Sequence, residues 1–320
     1  MNDNVSARFS LFDFLGYVIP GALSIMSFKI LYELWDVQTF NLDVLCGRVL
    51  SIKLAKVSFS ESVWFLIGSY LLGHLIAYFS SITVEVFSHW MHGYPSSFLL
   101  GEDNHHFFEK KPKKKEEDII IKASRSTFFY FHLKYCENKK MIIAWWKWLV
   151  VNMVKLIISI IILPVSSCSV VLGRLFCFET FYLKQLDEET CNNVYDKAAR
   201  LRKFLKLNYP PDYDADHHRV IYHYVYEKFA SHRAKFDCYV AIYDFLRSIT
   251  FILIALFWGI LVIAIKNNIW NGGSYMLLCL VLLLSYFVYM AFMKFYRRFT
   301  LESFMCLLAD PSLADPSLED

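Results

Sequence analysis

Four stretches of this chain are each about twenty residues long and almost free of charged side chains, and they constrain its fold more than any other feature. They cover residues 11–34, 62–87, 248–265 and 274–293. The bilayer interior offers backbone amides and carbonyls no water, so a segment that crosses it must satisfy them within a helix. With 56% apolar and 18% aromatic residues, the sequence predicts an all-α membrane protein with two transmembrane helical hairpins.

A fifth apolar stretch, residues 148–178, has two possible interpretations. It contains Lys155, Pro164 and Arg174, which a plain membrane span avoids. It is either a kinked fifth span or two half-spans that fold back as a re-entrant segment. The distribution of basic residues favours the re-entrant interpretation: residues 35–61 hold 3 Lys and Arg, residues 88–140 hold 10 and residues 181–247 hold 11. The positive-inside rule then places both basic regions, with the two termini, in the cytoplasm.

The predicted order of segments follows from these spans. It comprises an N-terminal transmembrane hairpin (1–100), a basic cytoplasmic loop (101–147), a re-entrant or fifth membrane segment (148–180), a cytoplasmic helical hairpin (181–247), a C-terminal transmembrane hairpin (248–296) and a tail (297–320). No proline lies between Asp216 and Ile265, so the second cytoplasmic helix is predicted to continue into the membrane as one rod of roughly 75 Å. The tail repeats the sequence ADPSL and is predicted to be disordered.

Two features of the first two spans concern helix geometry. Pro20 lies inside the first span, where it leaves the carbonyl of Gly16 without its usual amide and predicts a kink that either packs against neighbours or acts as a hinge.

In the second span a small residue recurs every four positions, which allows another helix to approach closely. The partner is either the first helix, with Gly16 and Ser24 at a similar spacing, or a second subunit. The strip consists of Ser69, Gly73, Ala77 and Ser81.

Polar side chains inside apolar helices are functional candidates because they are costly in a bilayer. His74 lies near the middle of the second span, although a neutral histidine bonded to a carbonyl would serve packing alone. Asn152, Lys155 and Ser159 fall on one helical stripe of the fifth stretch. That stripe predicts an interfacial helix, a conduction path or a contact with a polar partner. Lys155 and His74 are predicted to form a polar pair within the membrane.

Motifs for catalysis and cofactor binding are missing from the sequence. It has no GxxxxGK[ST], GxSxG or HExxH motif. The eight cysteines form no CxxC pair, and the ten histidines form no H-x-x-H-H box of the desaturase type. The sequence therefore predicts no enzyme, no cofactor and no metal site, and a histidine-ligated membrane enzyme is only an alternative.

The run EKKPKKKEED, residues 109–118, predicts a surface that attracts anionic lipid head groups. Nucleic acid is an unfavourable partner because adjacent acids neutralise part of the charge. The basic residues of this patch are Lys110, Lys111, Lys113, Lys114 and Lys115.

The opening FDFLGYVIPG and the stretch YDFLRSITFILI, residues 243–254, resemble a set of uncharacterised bacterial inner-membrane proteins, some of which are found in anti-phage defence islands. The resemblance implies a bacterial inner-membrane setting and no catalytic residue. Together with the predicted rod, it favours a non-enzymatic homo-oligomeric effector or sensor, in which cytoplasmic helices receive a signal from a protein partner or ligand and change the membrane. A constitutive channel or transporter is the alternative.

Overall fold

The computed structural model describes residues 13–35, 59–101, 152–205 and 217–313. The described part is 89% helical and contains no strand. Within these four ranges, four helices are long and apolar enough to cross a membrane: Phe14–Leu34, Ser60–Leu99, Ala230–Lys266 and Gly272–Leu308. The all-helical class and the four apolar helices predicted from the sequence are confirmed, and they suggest a multi-pass membrane protein.

Ten helices, several of them joined by π turns or 3₁₀ turns, make up the described residues. They are α1 (Ile19–Leu34), α2 (Phe59–Ser80), α3 (Val86–His92), α4 (Pro95–Leu99), α5 (Asn152–Ile161), α6 (Leu163–Cys168), α7 (Glu188–Phe204), α8 (His217–Lys228), α9 (Arg233–Lys266) and α10 (Gly272–Leu308). One π turn precedes α1 (Phe14–Val18), one joins α2 to α3 (Ser81–Glu85) and one follows α6 (Ser169–Leu175). Short 3₁₀ turns cover Phe178–Phe181, Ala230–His232 and Pro311–Leu313.

Helices α9 and α10 form the largest helix contact in the fold. They are joined by a tight turn in which Asn271 and Ser274 form a capping box. Ile260 and Ile263 pack near Leu278 in one apolar cluster close to this turn. At the other end Tyr243 lies 5.2 Å from Tyr296, ring to ring. The two helices therefore run antiparallel, with an aliphatic end and an aromatic end.

Helices α1 and α2 approach closely at two glycines. A Cβ atom added to Gly21 would collide with the backbone carbonyl of Ser69, and one added to Gly73 would collide with the carbonyl of Tyr17. Only a residue without a side chain allows backbones to come this close. The far end of α1 is tied to α9, where the Asn267 side-chain amide donates to the Trp35 carbonyl at 3.0 Å.

The fifth apolar stretch is broken. The axes of Asn152–Ile161 and Leu163–Gly173 meet at 73°. Pro164 stands in the first turn of α6, where its missing amide is tolerated, whereas it could not continue α5 without a clash. The indole of Trp258 on α9 donates to the Ile161 carbonyl at 2.8 Å, which satisfies a carbonyl at the bend.

The predicted unbroken rod is wrong. Phe229 has a non-helical backbone (φ −100°, ψ 74°), and the 3₁₀ turn Ala230–His232 separates α8 from α9. The Arg233 guanidinium donates to the carbonyls of Tyr226 at 2.8 Å and Glu227 at 3.0 Å. The chain stops its helix here because a side chain, and not the next turn, satisfies the last carbonyls of α8.

The prediction of a disordered tail needs correction, and two helices lie where the helical hairpin was predicted. Helices α7 and α8 both pack against α10, and the Phe204 ring of α7 lies 6.5 Å from the Tyr224 ring of α8. The residues that join the two helices lie outside the described ones, so the cytoplasmic helical hairpin stays a prediction. Helix α10 continues to Leu308, and residues 309–313 fold onto α7 and α8, with Asp310 and Leu313 buried. The first ADPSL copy is ordered because these helices supply an ion pair and an apolar contact for it. The second copy lies outside the described residues.

Candidate functional site

A buried arginine joins the second membrane helix to α9. Only 8% of Arg247 is exposed. Its guanidinium forms a short ion pair with Glu85, a 2.8 Å ion pair with Asp244 and a 3.3 Å hydrogen bond to Ser80 Oγ. Two carboxylates thus face one guanidinium, and a cation shared in this way cannot leave without stranding both acids in a low-dielectric environment. Arg247, Glu85, Asp244 and Ser80 together form the Arg247 network.

The π turn Ser81–Glu85 places the acid of this network. A π turn inserts one extra residue per turn and changes the direction of the side chains that follow it. Thr83 Oγ1 donates to the Phe79 carbonyl at 2.6 Å, and Ser80 Oγ donates to the Ala77 carbonyl at 2.9 Å. These hydroxyls bind carbonyls that the irregular turn leaves poorly paired, and Glu85 ends the turn facing α9.

An aromatic pocket of about 240 Å³ begins one residue from the network, at Tyr243. It opens between α4, α8, α9 and α10. The lining residues are Tyr94, Pro95, Ser96, His218, Arg219, Tyr222, His223, Tyr243, Tyr296, Phe299 and Thr300. Tyrosine hydroxyls, two imidazoles and a guanidinium around apolar ring faces suit a small anionic or aromatic molecule.

One polar contact and one neutral phenol give the pocket its polarity. His89 Nε2 lies 3.1 Å from the Tyr296 hydroxyl, which ties α3 to the α10 wall. Burial, and then the nearby Tyr226 and Asp237, raise the pKa of Tyr222, so its phenol stays neutral and available as a hydrogen-bond donor. Because α8 supplies Tyr222, His218 and His223, a ligand held here would fix the position of α8 relative to α9.

The predicted candidate His74 lies in a small aromatic cluster between α1 and α2. Its ring stacks on Tyr17 with centroids 3.8 Å apart, and Tyr70 meets it edge-on at 4.5 Å. Asp244 and Arg247 both lie close enough to Tyr17 to interact with it electrostatically. His74 therefore packs on a tyrosine that lies within electrostatic range of the network.

The predicted pairing of His74 with Lys155 does not form. Lys155 Nζ lies 5.7 Å from the ring centroid of Trp90 on α3, sixteen residues beyond His74 and roughly 24 Å along the helix axis. Asn152 is exposed and Ser159 is half-buried. The three polar residues remain on α5, and the 73° bend separates their helix from the segment that follows.

The predicted hinge and packing strip are also placed by the structure. Pro20 is buried and begins α1, after a π turn in which the Ile19 amide bonds the Phe14 carbonyl. Gly16 is buried, but a Cβ atom added to it would meet no atom of another turn or helix within 4 Å. Within the strip, Ser69 and Gly73 form the close contacts with α1 described above, Ala77 is half-buried, and Ser81 Oγ donates to the Tyr78 carbonyl at 2.8 Å in the π turn.

The five lysines of the basic patch, Lys110 to Lys115, lie outside the described residues.

Sequence reasoning missed the Arg247 network. Glu85 lies inside the apolar stretch 62–87, and Asp244 and Arg247 lie one helical turn apart immediately before the stretch that begins at 248. An acid within a predicted span is itself a signal, because such a residue needs a partner of opposite charge. The rule asks for a basic partner of Glu85, and Arg247 stands directly at the start of another predicted span. The sequence alone could therefore have suggested the pair Glu85–Arg247.

Comparison of the chain with protein families, with curated proteins and with solved structures found no match in any of the three.

Proposed function

We propose that this chain is a non-enzymatic membrane sensor or effector, in which a helical module outside the bilayer controls the packing of the membrane helices. The module consists of α7, α8 and residues 309–313. The proposal rests on α9, which has one end at the α8 break and carries Arg247 about 21 Å further along its axis. A displacement of α8 at the pocket is transmitted along this helix to the Arg247 network.

A two-state response is physically reasonable for such a network. Breaking a buried ion pair by removing one partner costs about 3–5 kcal/mol, so intermediate positions of Arg247 are unfavourable. The guanidinium either remains between Glu85 and Asp244 or the helices separate enough to hydrate all three groups. Signal and response are thereby coupled through one side chain.

The setting of the protein is part of the same proposal. The excess of basic residues in 88–140 and 181–247 favours a cytoplasmic module with both termini on that side of a bacterial inner membrane. The lysines at 110–115 favour anionic lipids. The apolar side chains exposed on α2, Trp64, Leu71 and Tyr78 among them, offer a face for lipid or for a second copy in a homo-oligomer. Anti-phage defence is the biological role that the sequence resemblance suggests.

The test uses the full chain in vesicles that contain anionic lipid and a self-quenched dye. Lys228 anchors the tail segment of the module through Asp310, which directly follows the end of α10. We expect Lys228→Ala to change the rate of dye release at least tenfold relative to the wild type. Lys203→Ala, an exposed lysine on α7, is the matched control and should leave the rate unchanged.

Two results would overturn the coupling. Equal rates for wild type, Lys228→Ala and Lys203→Ala would show that the module does not act on the membrane. Rapid release by the wild type, insensitive to Lys228→Ala, would favour a constitutive channel or transporter instead. If the coupling is correct, Arg247→Met combined with Lys228→Ala should show no further response to the Lys228 change, because the same network carries it.

A further inference from the structure

The three side chains His232, Glu302 and Cys306 meet where α8 breaks from α9. His232 Nδ1 lies 3.1 Å from Glu302 Oε1 and 3.5 Å from Cys306 Sγ. Within the described residues this is the group of His, Cys and acidic side chains whose ligand atoms all lie within 4.8 Å of one another. No motif in the sequence brings them together, since His232 is 70 residues from Glu302.

We propose that these residues bind a divalent transition-metal ion of the zinc type, with one coordination position open to water. Imidazole nitrogen, thiolate sulfur and carboxylate oxygen form a usual donor set for such an ion. The metal fastens the α8–α9 break to α10. Metal binding itself does not depend on the function proposed above.

The distances match a shared central ion. In a tetrahedral zinc site with Zn–N of about 2.0 Å and Zn–S of about 2.3 Å, nitrogen and sulfur are about 3.5 Å apart and nitrogen and oxygen about 3.3 Å apart. The observed separations of 3.5 and 3.1 Å are close to both values. One imidazole nitrogen therefore already faces the oxygen and the sulfur at the spacing that a common metal would impose.

Helix geometry explains why the site is formed in advance. Glu302 and Cys306 are four residues apart on α10, so their side chains lie on one face one turn apart. Cys306 is buried and Glu302 is 15% exposed at its side chain, whereas the His232 side chain is 41% exposed. The open side at His232 gives an ion a route of entry and leaves room for a water ligand. Binding releases the Cys306 thiol proton to solvent.

A lysine competes for the site. Lys235 Nζ donates to the same Glu302 oxygen at 2.7 Å, and its side chain is 49% exposed. An exposed ion pair of this kind contributes little stability, so Lys235 can swing into solvent when a metal with two charges arrives. This predicts an unusual effect: removal of a positive side chain should strengthen metal binding.

The test titrates the full chain in detergent with Zn²⁺ in a competing chelator, and with Co²⁺ as a spectroscopic probe of thiolate ligation. We expect one tight site for each chain and a thiolate-to-cobalt charge-transfer band in the near ultraviolet. His232→Ala and Cys306→Ser should weaken Zn²⁺ binding at least tenfold, and Cys306→Ser should abolish the band. Lys235→Met should strengthen binding at least threefold.

Matched controls separate this site from general binding by ten histidines. His223→Ala and Cys238→Ser alter an exposed histidine on α8 and an exposed cysteine on α9, and both should leave the affinity and the band unchanged. A band that survives in Cys306→Ser, or an affinity reduced equally by the control variants, would overturn the proposal. Because Lys235→Met predicts a gain, an unfolded variant cannot imitate its expected result, and an unchanged or reduced affinity in a folded Lys235→Met protein would also contradict the site.

Discussion

Lys228 Nζ lies 2.7 Å from Asp310 Oδ1, and the Asp310 carboxylate is completely buried. The Tyr224 hydroxyl also donates to Asp310 at 2.7 Å, and the Ser312 amide donates at 2.9 Å. Lys197 Nζ binds the neighbouring carbonyls of Leu308 and Asp310. These contacts fix the end of α10 to α7 and α8. A substitution at this ion pair therefore changes the packing of the module directly.

The first prediction concerns acid. Burial favours the protonated acid, but hydrogen bonds from Lys228, Tyr224 and Ser312 outweigh it and lower the pKa of Asp310 from 3.8 to about 2. The stabilisation, about 2 kcal/mol, is therefore complete above the unfolded pKa and is lost as the pH falls from about 4 to about 2. Thermal unfolding in detergent between pH 2 and 6 should show this loss. Asp310→Asn should remove that part of the pH dependence, whereas Asp315→Asn, the same position in the second ADPSL copy, should retain it.

The second prediction concerns the contact of α1 with α2. Gly73→Ala should lower the free energy of unfolding by about 1–3 kcal/mol, because the new methyl group meets the Tyr17 carbonyl. Gly16→Ala is the control, since a Cβ atom added there meets no neighbouring atom within 4 Å, and it should be neutral or stabilising. Denaturation in mixed micelles measures both. Equal loss in the two variants would show that the close approach does not hold these helices together.

The third prediction concerns the Arg247 network. Arg247→Met should cost about 3–5 kcal/mol of unfolding free energy, because Glu85 and Asp244 are left buried without a cation. Glu85→Gln should cost less, since Asp244 still pairs with the guanidinium. The double variant should cost less than the sum of the single changes by about 1–3 kcal/mol. Arg298→Met alters an exposed arginine of α10 and serves as control; additive single changes would argue against a shared network.

The fourth prediction concerns orientation. In a variant that retains only Cys238, an exposed residue of α9 on the module side, a membrane-impermeant thiol reagent should react after the bacteria are broken open and not before. Asn268→Cys in the same background places a thiol in the turn between α9 and α10, on the opposite side, and should react in intact cells. The reverse pattern would place the module outside the cell.

Some of this fold could be predicted from local pattern alone. The apolar stretches predict the four long helices because a membrane helix satisfies its backbone from its own sequence. The recurrence of Ser69 and Gly73 predicts a close helix contact, and Pro164 predicts a break in 148–178. Each depends on residues near one another in the chain, where helix geometry converts spacing directly into position.

The features that depend on distant residues could not be predicted in this way. No Gly or Pro near Phe229 predicts the end of α8, which Arg233, four residues further along, and the packing of α8 on the distant α10 stabilise. The order of the first ADPSL copy likewise depends on Lys228 and Tyr224, which lie more than 80 residues away and bind the Asp310 carboxylate.

Apolar stretches of membrane-spanning length were enough to predict the all-helical class and the four apolar helices, since a backbone in a bilayer can satisfy its amides and carbonyls in few other ways. The tertiary structure alone decided which charges meet: Arg247 lies 162 residues from Glu85, and His232 lies 74 residues from Cys306. Side-chain pairs of this kind form when packed helices bring specific turns face to face. Their register is set by glycine contacts, π turns and a broken helix, whose combined effect is fixed only by the complete packing of the chain.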